Sequence, residues 1–363
     1  MKKRELYLDI IRSCAIIFVV LCHSVERFYR PVLYGERTVS FLCWATENIL
    51  FIIGRVGVPL FLSVTGTLLL NREYSDVGKF YKKSLLPLIF TTEIWIVLNY
   101  LFCCLIGSAE FDLFDIIEQI LFLKVSSLSH MWYMPMIIGY YIALPFISKV
   151  IHSEIAVNEY KIIYFGGIIA FFVIPTLNVF LREEMINIPK LGLQINVGFW
   201  GGYYGLYLLG GYFISKKKVM RNISTMVVLG TMLFCFAFNS IGQYYLYSHK
   251  IFGETGLYWY NDIAIFGIGM LLFELLCRLF AEKDKVCMPK TIEYISRCSF
   301  GVYILHKPIL VLLDKYFLCY MQSMNTLVKI GIFWGIGLII SLIILYPFWH
   351  MWRKLGNILF HIK

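Results

Sequence analysis

Leu8-Asp9-Ile10-Ile11-Arg12-Ser13-Cys14-Ala15-Ile16-Ile17-Phe18-Val19-Val20-Leu21-Cys22-His23 stands near the start of the chain and decides its class. With the residues up to about 28, it is long enough to cross about 30 Å of hydrocarbon as a helix. Met1-Lys2-Lys3-Arg4 ahead of it imitates the charged start of a signal peptide. No small-residue cleavage site follows Val20, however, and Arg12 and His23 interrupt the apolar run. The segment therefore reads as a retained first span.

Nine more segments meet the same length requirement: roughly 41–70, 84–107, 131–151, 160–180, 198–215, 223–242, 257–280, 292–313 and 327–352. The second is long and holds Gly54, Gly57 and Pro59. Phe111 to Lys124, with Asp112, Asp115 and Glu118 among Phe and Ile, is too short to span and reads as an interfacial amphipathic helix. Composition agrees. Of 363 residues, 59% are hydrophobic and 15% charged, against about 45–50% apolar and about 25% charged in a soluble domain. Together with a mean hydropathy of +0.72, this excludes an ordinary cytosolic globule, and 30 Phe, 25 Tyr and 8 Trp exclude disorder. The expected fold is an all-α polytopic membrane protein of about ten transmembrane helices, one domain over residues 1–363 with no separate soluble part. No internal repeat or low-complexity tract interrupts it.

The 33 Lys and Arg against 23 Asp and Glu leave a net charge of +10. On alternate sides of ten spans, 20 of these cations fall on the side of the N-terminus and 10 opposite, with Arg12, Arg55 and Arg297 inside helices. The positive-inside rule then puts both termini in the cytoplasm. The excess charge serves topology and anionic lipid, and needs no nucleic-acid partner. The ten cysteines lie largely in apolar runs without CxxC or His/Cys ligand spacing; they read as small core residues, and no metal is expected.

An ionisable side chain inside a span costs about 2.5–3.5 kcal/mol on insertion scales and is a functional candidate by default. Arg12 and His23 are eleven residues apart, about 1100° of helical rotation, so they share a face about 16 Å apart along the axis. They cannot touch, and a ligand or a pore must link them if they act together. Asp9 is in reach of Arg12. The bland alternative has Arg12 snorkelling to headgroups and His23 bonded to a neighbouring helix. Later in the chain, Ser299 and His306 are seven apart on one face, and Pro308 leaves local backbone groups without their helical partner. His306 reads equally as a functional residue or as a solvated one at the outer interface. Glu93 stands among Thr91, Thr92 and Trp95 as a structural hydrogen-bonding group or a functional carboxylate. Glu274 precedes Arg278 by four, an ordinary helix ion pair. Ser129-His130-Met131-Trp132-Tyr133-Met134-Pro135 and Phe199-Trp200-Gly201-Gly202-Tyr203-Tyr204-Gly205 read as interfacial aromatic belt or as platforms for a sugar ring.

These residues resemble the integral-membrane acyltransferase family 3, which includes bacterial surface-polysaccharide O-acetyltransferases, over residues 6 to 350 approximately. Leu8, Asp9, Arg12 and His23 match its Leu-Asp-x-x-Arg opening and Arg-x10-His spacing. Gly57-Val58-Pro59-Leu60-Phe61-Leu62-Ser63-Val64-Thr65-Gly66 is similar to its Gly-Val-x-Leu-Phe-Phe-x-x-Ser-Gly stretch. Phe80-Tyr81-Lys82-Lys83-Ser84-Leu85-Leu86-Pro87 occupies the place of its basic segment, His130-Met131-Trp132-Tyr133 resembles its His-Leu-Trp-Phe, and Tyr303 with His306 its late Tyr-x-x-His. The chain departs from the pattern at Thr65, where Ser is usual, and at Leu86, where a second Arg is common.

The resemblance implies a membrane-bound O-acyltransferase of the bacterial cytoplasmic membrane. It would move an acyl group, usually acetyl, from cytoplasmic acetyl-CoA to a hydroxyl of a surface polysaccharide or its lipid-linked precursor. On that basis Arg12, Lys82 and Lys83 would hold the CoA phosphates. His23 would act as general base, with Asp9 and His306 as further catalytic candidates. Trp132, His130, Glu93 and Thr65 would line the acceptor. The rival class is a glycan or lipid transporter or flippase with Arg12, His23 and Glu93 along its pathway; the absence of paired broken helices in the two halves speaks against it. A membrane scaffold would tolerate Leu at both Arg12 and His23.

Overall fold

The computed structural model describes residues 5–153, 157–180, 202–251, 257–281 and 289–361, and the regular structure in them is helical without a strand. In chain order the helices are α1 (Leu6–Leu33), α2 (Phe41–Arg55), α3 (Gly57–Leu69), α4 (Val77–Phe80), α5 (Leu86–Leu105), α6 (Leu113–Ile120), α7 (Tyr133–Ile151) and α8 (Val157–Ile168). They continue as α9 (Ile174–Phe180), α10 (Tyr203–Ser215), α11 (Thr225–Ser248), α12 (Ile263–Phe280), α13 (Lys290–Phe317), α14 (Thr326–His350) and α15 (Arg353–Phe360). Wider π turns join α4 to α5 at Tyr81–Leu85 and α8 to α9 at Ile169–Val173. Among the described residues, seven helical segments are long and apolar enough to span a membrane: Leu6–Leu33, Phe41–Leu69, Val77–Leu105, Ser129–Ile151, Thr225–Ser248, Ile263–Phe280 and Thr326–His350. The protein is thus a multi-pass helical membrane protein.

The other three expected spans are helical too, but with qualifications that have physical causes. In the 160–180 segment the apolar helix, Tyr164–Phe180, is short for a span. The 198–215 segment is described as helix from Tyr203 onward, and Phe199, Trp200 and Gly201 lie outside the described residues, as do Met1 to Arg4. The 292–313 segment sits inside the 28-residue α13, whose Glu293, Arg297, Lys307, Asp314 and Lys315 dilute its apolar character. One expected helix is divided: 41–70 breaks at Val56 between α2 and α3. Pro59 has no N–H and its ring crowds the carbonyl four residues earlier, that of Arg55, where α2 ends.

By the density of its contacts the chain falls into two compact units, Met1–Arg72 with Ser148–Ile292 and Glu73–Ile147 with Glu293–Lys363. In the first unit, glycines bring helices together without side chains between them at two places, α2 against α1 and α3 against α10. A Cβ on Gly54 would lie 2.6 Å from the Cys22 backbone, so only glycine allows the two helices this approach. A Cβ on Gly66 would overlap the Leu208 carbonyl of α10. Beside it Thr67 Oγ1 donates to the Gly211 carbonyl at 3.0 Å, locking α3 to α10. Replacing Gly66 by Ala is expected to destabilise the protein by about 1–3 kcal/mol, read as a lower melting temperature in detergent; an unchanged melting temperature would mean that α3 and α10 can part at this point. Phe172, Tyr207 and Phe266 fill the centre of this unit, with Phe172 and Phe266 ring centroids 4.2 Å apart.

A short loop ahead of α12 completes the unit, and it is held at several points. Asp262 caps α12 by accepting from the Ala264 and Ile265 amides at 3.0 and 2.9 Å, and also accepts from Thr176 and Asn239 at 3.1 Å. Asn239 donates in addition to the Leu257 carbonyl, and Tyr207 Oη donates to the Tyr260 carbonyl at 2.8 Å. The expected Glu274–Arg278 pair is present at 2.6 Å on α12. Helix α11 turns Met226, Val227, Leu233, Phe234 and Ile241 outward, which is the face a lipid-contacting helix presents.

In the second unit, α5 is tied to α15 by Thr91 Oγ1 and Trp95 Nε1, which donate to the Ile358 and Leu359 carbonyls at 2.7 Å. Within 111–124 the eight-residue α6 forms, too short to span. Phe114, Ile117 and Leu121 are exposed along it. Lys124 donates to Asp115 beside it, and this bond holds the Asp115 carboxyl below its ordinary range.

Candidate active site

Helix α1 runs unbroken from Leu6 to Leu33, so the spacing read from the sequence becomes geometry: Arg12 and His23 stand about 16 Å apart along one helix. Asp9 is buried and meets Arg12 as expected, Oδ1 to Nη1 at 3.5 Å. His23 is half-buried, and its Nδ1 lies 2.8 Å from Oε2 of Glu26, one turn further on. Neither group of this second pair is exposed, and a carboxylate at Nδ1 favours the tautomer that carries its proton there and its basic lone pair on Nε2. Glu26 was passed over in the sequence, although its place three residues after His23 was the available signal.

Opposite this end of α1 stands a second group that composition alone did not single out. Gly54 meets the Cys22 backbone, and the next residue, Arg55, is buried with 5% of its surface exposed. Its guanidinium carbon lies 4.6 Å from the Phe51 ring centroid, 5.1 Å from that of Trp259, 5.2 Å from Tyr260 and 5.8 Å from Tyr258. Nη1 donates to Tyr260 Oη at 3.3 Å. Trp259 Nε1 in turn donates to Tyr203 Oη at 2.9 Å, and Tyr203 Oη donates to Tyr204 Oη at 2.9 Å. The sequence places Arg55 inside a helix and no more; three of the four aromatic residues that surround it come from the loop before α12.

Thr65, the remaining candidate of the first unit, spends its hydroxyl on the Phe61 carbonyl at 2.8 Å within α3. The other candidates belong to the second unit. His130 is buried on a 3-10 turn, Ser129–Trp132, and its ring centroid is 5.3 Å from those of both Tyr303 and His306. Tyr303 Oη donates to the His130 carbonyl at 2.6 Å. His306 Nδ1 donates to the Val302 carbonyl at 2.9 Å. This histidine is fully buried, which removes the alternative of a solvated interfacial residue: α13 continues through Pro308 and carries the ring inward. Trp132 is half-buried beside Tyr133, ring centroids 6.0 Å apart. Glu93 is half-buried on α5 and, among the described residues, makes no side-chain hydrogen bond or ion pair, so the structural bond expected for it is not found there. Lys82 and Lys83 are exposed on the π turn ahead of α5. The structure therefore brings together Asp9 with Arg12, and His130 with Tyr303 and His306, each within its own unit.

A family model described as an acyltransferase domain matches residues 5–352. Neither a curated protein nor a solved structure matches the chain. The matched stretch takes in α1 with its Asp9–Arg12 and His23–Glu26 pairs, the α2–α3 hairpin and the His130–His306 cluster, and by that near-complete match this polytopic membrane protein belongs to acyltransferase family 3.

Proposed function

We propose that the protein transfers an acyl group, acetyl in the simplest case, from cytoplasmic acetyl-CoA to a hydroxyl of a cell-surface polysaccharide or its lipid-linked precursor. It would do so from the bacterial cytoplasmic membrane with both termini in the cytoplasm, as the two-to-one bias of cations argues. The observation that carries the proposal is the His23–Glu26 pair, 2.8 Å apart inside a predominantly apolar helix. A membrane helix that only needs to span has no use for such a pair, whereas a base for a hydroxyl needs an imidazole held in one tautomer.

In the reaction, His23 Nε2 takes the proton of the acceptor hydroxyl as its oxygen attacks the thioester carbonyl. Collapse of the tetrahedral intermediate breaks the carbon–sulfur bond. The imidazolium returns its proton to the departing thiolate, leaving an ester and CoA. Arg12 is the cation that this proposal uses in the first unit, its planar fork suited to a phosphate; Lys82 and Lys83 supply exposed point charges in the second. Arg12 lies about 16 Å from His23 along α1, which matches a donor gripped by its phosphates at one end and reacting at the other.

The test is consumption of acetyl-CoA by the purified protein in detergent, together with the appearance of a base-labile ester on added glycan. A transporter would consume none. Replacing Arg12 by Ala is expected to weaken acetyl-CoA binding at least about tenfold, the loss of a charge-assisted bond, in isothermal titration; an unchanged affinity would take Arg12 out of this role.

A further inference from the structure

The buried cation at Arg55 is not explained by the steps above. Among the described residues it has no carboxylate within ion-pairing distance, and its Nε has no hydrogen-bond partner although the side chain is almost entirely buried. Glu26 lies within electrostatic range but is bonded to His23. Ring faces partly compensate a guanidinium, at about 0.5–2 kcal/mol for each good contact. They do not offer the in-plane acceptors that its fork is built to meet, which are the two oxygens of a carboxylate or phosphate.

The surroundings are built rather than incidental. Tyr258 and Tyr260 are buried, and the loop that carries them with Trp259 is fixed by Asn239, Tyr207 and the Asp262 cap. Trp259 alone of the four rings around the guanidinium is exposed, at 38%, so it forms the open side. An indole and phenol faces around a charged fork are the surfaces that take the CH face of a sugar ring and an acidic substituent on it. Position says which substrate is meant. Arg55 follows the glycine that touches Cys22, the neighbour of His23, and so stands beside the His23 end of α1, an end about 16 Å along the axis from Arg12. The donor's phosphates, on the proposal above, are at the other end.

We propose that Arg55, with Phe51, Tyr258, Trp259 and Tyr260, binds an anionic group of the acyl acceptor, and that the acceptor is an acidic carbohydrate bearing a carboxylate or a phosphate. This rests on the acyl-transfer proposal, for it identifies the substrate of the same site. The experiment measures binding of glucuronate, glucose 1-phosphate and glucose to the full-length protein in detergent by saturation-transfer NMR, with 3′,5′-ADP as competitor. At least one of the two charged sugars is expected to bind at least about tenfold tighter than glucose; which of them does so says whether carboxylate or phosphate is recognised.

In Arg55→Gln that preference falls to about unity, while glucose binding stays. Arg55→Lys, which keeps the charge and loses the fork, retains a preference reduced severalfold and carries the test where the Gln variant does not survive purification. Equal binding of all three sugars, no binding of any, an unchanged preference in either variant, or displacement of the charged sugar by 3′,5′-ADP each overturns the inference. His23→Ala separates the two proposals: it is expected to lose acyl transfer and keep the charged-sugar preference. Transfer that persists in it refutes the mechanism without touching the Arg55 result.

Discussion

Protein carrying His23→Ala, inserted in the membrane at the normal level, is expected to esterify glycan about 10²–10⁴-fold more slowly than the parent, the usual contribution of a positioned general base. The substitution should leave the fold intact, because His23 is half-buried and its Nδ1 is bonded to Glu26 on the same helix. The measurement is proton NMR of glycan for an ester signal that mild base removes, beside acetyl-CoA turnover. A rate above about a tenth of the parent's would take His23 out of catalysis.

Glu26→Ala should lower kcat about 10²-fold, the cost typical of a reacting group displaced by about 1 Å, while the KM for acetyl-CoA holds. On the proposed mechanism Glu26 acts through His23, its carboxylate holding the ring at Nδ1. The split between kcat and KM is what distinguishes this role from a structural one, since general loosening of α1 would also disturb Asp9 and Arg12 and raise KM. Glu26→Gln, which can still accept a hydrogen bond, should recover part of the loss. Equal rates for the three proteins would show that the pair has no part in the chemistry.

Helix α1 was legible in the sequence because everything that matters on it is local. A 3.6-residue period fixes the shared face of Arg12 and His23, and Asp9 and Arg12 fall within one turn. Glu26 is equally local, one turn beyond His23, but a lone carboxylate near the end of a span carries no signal of its pairing beyond that spacing. The break at Val56 was also written in the sequence, in Pro59, since a proline excludes the carbonyl four residues earlier; its hydropathy, however, gives one continuous span. The Arg55 enclosure was not legible. Its bond partner Tyr260 is 205 positions away, and Tyr303 reaches the His130 carbonyl across 173. Contacts of that range are set by which helices pack together, and no periodicity within a single segment records them. For the same reason His306 had two readings: the ring sits on a helix whose charged residues suit an interface, and only the packing around it decides that it is buried.

The seam at Gly54 and Cys22 bears on how the protein meets bilayers of different thickness. A helix in lipid answers mismatch by tilting or by sliding its flanking residues. Helices α1 and α2 meet backbone to backbone beside His23, with no intervening side chain whose rotamers could absorb a shift. The depth of the imidazole is therefore referenced to Arg55 across that seam, not to the lipid headgroups, and the protein carries its own ruler for where in the membrane His23 stands.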